Sequence, residues 1–102
     1  MIDFTKLDRV IHEKARLSIM TLLTSRSPRA FQDIKSELSM SDGNLITHLR
    51  TLAKENYILE IKATAVESSR PCTSYAITPE GQKAFKAYLE ILEAIVRQTK
   101  LL

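Results

Sequence analysis

The sequence holds a single cysteine, Cys72. One thiol excludes an internal disulfide and any cysteine-cluster metal site. No apolar run is long enough to span a bilayer. The opening residues, Met1-Ile2-Asp3-Phe4-Thr5-Lys6, carry charges where a secretory signal needs its apolar stretch, so a cytoplasmic location is expected. Repeats, low-complexity tracts and Pro/Gly-rich linkers are missing too, which leaves residues 1–102 as one domain. There is no phosphate loop, no G-x-S-x-G, and no His and carboxylate paired at a catalytic spacing. His12 and His48 stand far apart, and neither has a second ligand at metal spacing. Neither an enzyme nor a bound cofactor or metal is expected.

What is present is ordinary for a soluble globular domain: 44% hydrophobic and 26% charged residues. Net charge is +3. Residues 1–56 hold nine Lys/Arg against seven Asp/Glu, and residues 57–102 hold six against five. The excess is small and evenly spread, so placement of charge must decide between partners.

Apolar periodicity divides the chain into short elements. Phe4, Leu7, Val10 and Ile11 predict a first short helix over 4–11, with Asp3 as its cap. Ala15, Ile19, Leu22 and Leu23 predict a second over 13–25, stopped before Pro28. Phe31, Ile34 and Leu38 mark a third over 31–38. Ser39-Met40 then makes a tight connection, Ser41 caps, and Leu45, Leu49 and Leu52 carry a fourth helix to about Glu55, with Asn56 as the breaker. At Tyr57 the period changes to two. Tyr57, Leu59 and Ile61 alternate with Ile58, Glu60 and Lys62, and Thr73, Tyr75 and Ile77 alternate with Cys72, Ser74 and Ala76. This is a hairpin with a loop over 64–71 at its tip. Thr78-Pro79-Glu80-Gly81 starts a last helix that can run to the C-terminus. The order α-α-α-α-β-β-α, mainly α with a small β-hairpin and a long C-terminal helix, is that of a winged helix-turn-helix. Residues 3–25 form the N-terminal helices, 30–55 the helix-turn-helix, 57–77 the wing hairpin and 79–102 the last helix.

The stretches "DGNLITHLRTLAKENYI" and "YAITPEG" are similar to segments of the small MarR/ArsR-like winged-helix transcriptional regulators of bacteria and archaea. The resemblance covers roughly residues 7–90. It implies a DNA-binding regulator that dimerises through its terminal helices and lays its wing on the flanking minor groove or phosphates. Wings of that family are often more basic and contain glycine. This one carries Arg70, with Lys62 at its base, but also Glu67.

On the fourth helix, Gly43, Asn44, Thr47, Arg50, Thr51 and Lys54 fall opposite the leucines. Asn and Arg can pair with adenine and guanine edges, Thr can meet a thymine methyl, and cations can neutralise phosphates. His48 lies at the edge of this face and can reach a phosphate or pack. Asp42 suits the positive end of the helix but would repel a phosphate. Arg26, Arg29, Gln32 and Lys35 surround the third helix, which in a helix-turn-helix crosses the DNA backbone. The DNA-binding set expected is therefore Gln32, Lys35, Gly43, Asn44, Thr47, His48, Arg50, Thr51, Lys54 and Arg70.

The last helix carries a broad apolar stripe of Phe85, Tyr88, Leu89, Leu92, Ile95 and Val96. One side should cover the domain, and the remainder calls for a partner. A homodimer completed by Phe4, Leu7 and Ile11 of the first helix is expected. Its DNA site would be palindromic. A small-molecule effector, if there is one, has no residue-level signature here. The other class of function compatible with this sequence is a winged-helix protein-interaction module that does not bind DNA.

Overall fold

The computed structural model of the protein describes residues 1–64 and 71–100, with the side chains of Thr64 and Pro71 left aside. Helix α1 spans Lys14–Ser25. A two-residue strand β1, Arg29–Ala30, leads into α2, Phe31–Leu38, and then α3, Asp42–Lys54. Strands β2, Ile58–Thr64, and β3, Pro71–Ile77, form the hairpin, and α4 runs over Pro79–Thr99. The sheet order is β1-β3-β2, antiparallel throughout.

The starts of α1, α3 and α4 each carry a side-chain cap, while α2 follows Ala30 without one. The Glu13 carboxylate accepts from Arg16 N–H at 2.9 Å and caps α1. That bond holds the Glu13 carboxyl below its ordinary pKa. The Ser41 hydroxyl accepts from Asn44 N–H at 3.2 Å and caps α3. Thr78 caps α4 by accepting from Gly81 N–H at 2.9 Å, with Pro79 in the first turn. The stops are as definite. Ser39 takes the left-handed conformation (φ 53°), and Met40 N–H reaches back to the Lys35 carbonyl at 3.2 Å. Asn56 ends α3 the same way, at φ 64°.

Two expectations needed correction. The helix predicted over 4–11 is a single 3-10 turn, Phe4–Lys6. Asp3 does cap it, accepting from Thr5 N–H. Asp8 then stops the coil, because its carboxylate accepts from the N–H groups of Val10 and Ile11 at 2.8 and 3.0 Å and builds a turn. The strand β1 was not expected. Arg29 and Ala30 pair with Tyr75 and Ser74, an edge supplied from far along the chain.

The core gathers Ile11, Ile19, Met20, Leu23, Ile34, Leu45, Leu49, Leu52, Ile58, Tyr75, Phe85 and Tyr88. Thus α1 sits at the centre, α3 lays its leucine face on it, and the hairpin closes one side. Ile58 and Tyr75 turn inward, so the opposite hairpin face carries Leu59 and Ile61 to solvent.

The joint between α3 and α4 is closely built. Thr78 N–H donates to the Tyr57 carbonyl at 3.0 Å, and the Thr78 hydroxyl donates to the Asn56 carbonyl at 2.6 Å. The Tyr57 hydroxyl donates to the Asp8 carboxylate. Burial, and then that bond, push the Tyr57 phenol far above its usual range. Burial also raises Tyr75 and Tyr88. In each case the folded chain keeps a proton that the unfolded chain releases above pH about 10. Stability is therefore fully present below that pH and falls as pH rises through it. Denaturant melts across this range should show the loss, and Tyr57→Phe should flatten a large part of it. An unchanged alkaline slope in that variant would refute the assignment.

Candidate nucleic-acid interface

Helices α2 and α3, joined by the Ser39–Ser41 turn, place one polar face of α3 outward. Leu45, Leu49 and Leu52 are buried beneath it. Gly43, Asn44, Thr47, Arg50 and Lys54 are exposed, and Thr51 is half-buried at the margin.

The hydroxyls on this face are already committed as donors. Thr47 Oγ1 donates to the Gly43 carbonyl at 2.9 Å, and Thr51 Oγ1 to the Thr47 carbonyl at 3.1 Å. Each threonine is left with a methyl and an acceptor oxygen for an outside group. Arg50 and Lys54 make no ion pair or hydrogen bond through their side chains with any described residue. Arg50 lies near enough to the Tyr75 phenol to oppose the rise in its pKa. Its guanidinium therefore hangs on the side of α3 that faces the hairpin.

The other expected contacts sort differently. Lys35 Nζ lies 2.8 Å from Asp42 Oδ1, so its charge bridges α2 to the start of α3. This pair also neutralises the one acidic residue on the face. Arg29 is held by Glu37 at 2.8 Å, and it donates to the Arg26 carbonyl and Ser25 hydroxyl at 3.1 Å each. It braces the turn before α2. Gln32 and Arg26 are exposed. His48 is half-buried, and its Nδ1 lies 3.0 Å from an Arg16 terminal nitrogen. Arginine can only donate, so Nδ1 accepts and the ring hydrogen sits on Nε2. Glu13, at 3.7 Å from Nδ1, is too distant for a hydrogen bond. His48 thus ties α3 to α1. Arg70 lies outside the described residues.

Ile46 was not anticipated. It is half-exposed on the flank of α3 and lines a groove of about 350 Å³ with Phe31, Gln32 and Thr73. An isoleucine between the leucine and polar faces was the available signal.

Gly43 is informative for what surrounds it. A Cβ there would meet nothing within 4 Å, and its φ is not positive. The fold itself has no need of a glycine at this position. Gly43→Ala should leave stability unchanged or raise it by up to about 1 kcal/mol. If a DNA backbone approaches this turn closely, the same change should weaken duplex binding several-fold. Unaltered affinity in a titration of that variant would show that nothing comes close.

The residues expected at a partner interface also divide. Ile11, Phe85 and Tyr88 belong to the chain's own core, a correction to their expected place. Phe85 and Tyr88 lie on the side of α4 that covers the core, and the Asp8 turn sends Ile11 inward. Leu7 packs half-buried on that core. Phe4 and Leu89 are 60% and 43% exposed, while Leu92, Ile95 and Val96 are half-buried. Every buried residue of α4 lies in its first half, at Gly81, Phe85 and Tyr88. The radius of gyration is 15.4 Å, against about 13 Å for a compact chain of this length. In the second half of α4, Leu92 still packs half-buried on the core, and Ile91 and Ala94 line a groove with Ile2 and Lys6.

A short helix, a left-handed turn, a second helix with a polar outer face and a hairpin behind it define a winged helix-turn-helix. The chain belongs to the winged helix DNA-binding domain family, whose model matches residues 15–96. An uncharacterized protein of Methanocaldococcus jannaschii is 33% identical over 86 residues, 83% of this chain and 91% of that one. The structure of a transcriptional regulator homologue from Pyrococcus horikoshii OT3 superposes with a TM-score of 0.84 at 29% identity, over 90% of this chain and 89% of the other. A chain from Enterococcus faecalis V583, assigned to the MarR family of transcriptional regulators, gives 0.75 at 21% identity, over 91% and 84%. The family and fold are those of DNA-binding regulators, not of enzymes. Among the described residues, no helix is long and apolar enough to cross a membrane.

Proposed function

We propose that the protein is a sequence-specific transcriptional regulator of the cytoplasm, acting as a homodimer in which residues 1–102 form one unit. The observation that carries this reading is the outer face of α3: the Arg50 and Lys54 side chains have no ion-pair or hydrogen-bond partner among the described residues, while Arg16, Arg29 and Lys35 are all engaged. Arg50 and Lys54 lie on the helix that in this class enters the major groove.

In this reading Asn44, Thr47 and Arg50 meet base edges, Gly43 and Lys54 lie against the backbone, and Gln32 reaches a phosphate from α2. Lys35 and His48 hold α3 in place, and Arg70 on the wing touches the flank. The second half of α4, with Leu89, Leu92, Ile95 and Val96, meets its two-fold mate, and Phe4 completes the contact. Two-fold symmetry then calls for a palindromic site with half-sites about 34–36 Å apart, or a multiple of that.

Titration of duplex DNA across salt concentrations tests the central claim. Binding should weaken steeply with salt, because each neutralised phosphate releases counterions. Salt-insensitive or absent binding would favour the protein-interaction alternative. Sedimentation tests the dimer: Leu89→Glu should shift the mass from two chains to one, and an unchanged mass would remove α4 from the interface.

A further inference from the structure

We propose that β2 is a docking edge for a second copy of this chain, paired antiparallel about a two-fold axis at Ile61. In the order β1-β3-β2, β2 is an outer strand, and no strand among the described residues pairs with its far edge. Its ladder with β3 runs without a bulge from Ile58 to Thr64, and β2 contains no proline. Proteins usually blunt such an edge with a bulge, a proline or charge on the exposed strand. Here the only charges, Glu60 and Lys62, share the Tyr75 side of the sheet. The other side presents Leu59 and Ile61, 58% and 38% exposed, beside Ala76 and Ser74 of β3.

The charge order selects one register. Residues directly opposite each other across an antiparallel pair share a face. A two-fold centre on Glu60 sets that carboxylate against itself, and a centre on Lys62 opposes two ammonium groups. A centre on Ile61 sets each Glu60 against the other chain's Lys62. It also places Ile61 against Ile61 and Leu59 against Ala63, so the apolar face continues unbroken across the junction. Glu60 is already held in place, 3.5 Å from the Tyr75 hydroxyl that donates to it and 3.4 Å from Lys62 Nζ.

A pairing of one short strand is far smaller than a standard interface. It forms where copies are concentrated, as between dimers lined up on one duplex. The consequence is cooperative loading of neighbouring sites, which rests on the DNA-binding reading. The strand pairing itself does not.

Disulfide trapping tests the register. Opposed Cα atoms in antiparallel strands lie about 4.5–5.5 Å apart, within disulfide reach. Leu59 and its two-fold mate would be offset by four residues, roughly 13 Å. In a Cys72→Ser background, Ile61→Cys should form covalent dimers under mild oxidation at least tenfold faster than Leu59→Cys. Equal rates, or no dimer from either, would overturn the proposal. Adding Glu60→Lys to Ile61→Cys should slow trapping about tenfold, and adding Lys62→Glu as well should restore it. A slow double swap that is folded by circular dichroism would overturn the register. Random-sequence duplex should accelerate trapping. Preferential trapping at Ile61 without that acceleration would uphold the pairing and count against the DNA-binding reading.

Discussion

Gly81→Ala should lower the unfolding free energy by about 2–3 kcal/mol. An ideal Cβ on Gly81 would lie 2.1 Å from the Tyr57 carbonyl oxygen, 2.9 Å from its carbon and 3.0 Å from Ile77 Cγ1. Two of these atoms are backbone and cannot rotate aside. The first turn of α4 must withdraw, and withdrawal breaks the bond from Thr78 N–H to that same carbonyl. It also loosens the Thr78 cap, itself worth about 1 kcal/mol. Alanine returns up to about 1 kcal/mol of helix propensity, less than the clash and the broken bonds together. Denaturant melts should show the midpoint fall with the slope unchanged. A change within about 0.5 kcal/mol, the range of an ordinary surface substitution, would mean that the joint relaxes freely.

Arg50→Ala should weaken duplex binding by about ten- to a hundredfold, corresponding to one bidentate base contact of roughly 1–3 kcal/mol. Folding stability should not change, since the side chain has no ion-pair or hydrogen-bond partner among the described residues. Arg29→Ala is the matched control. Its guanidinium is held by Glu37 and by the turn before α2, so that variant should lose stability and leave specificity intact. The pattern of loss identifies the ligand atom. Weakening at one base position places Arg50 on a base edge, and uniform weakening with a shallower salt slope places it on a phosphate. No loss at all would end the assignment of this face of α3.

The parts of this fold that were legible in advance are those specified by neighbours along the chain. The 31–38 helix, the Ser41 and Thr78 caps and the breaks at Ser39 and Asn56 all depend on residues within a turn or two, and all stand as expected. The Asp8 turn is also local, but apolar spacing over Phe4, Leu7, Val10 and Ile11 imitated a helix. What could not be read needed distant partners. Strand β1 exists only because Tyr75 and Ser74 offer it an edge. Lys35 and Arg50 are both cations near a helix-turn-helix. Only the folded position of Asp42 takes one and leaves the other. His48 was ambiguous for the same reason, since Arg16 reaches it from another helix. Period two along the hairpin was plain, but which side faced inward was decided by Ile58 and Tyr75 meeting the core.

The crowded joint at Tyr57 and Gly81 has a mechanical consequence. It leaves no slack between the C-terminal end of α3 and the first turn of α4, so the two helices act as the arms of a bell crank. From that pivot α4 reaches roughly 27 Å to Thr99, and α3 roughly 22 Å back to Ser41. Tilting the outer arm by about 5° carries the far end of each by about 2 Å, most of the width of a hydrogen bond. In the proposed dimer, the angle at which the two long arms cross would therefore set how squarely the two short arms meet their target.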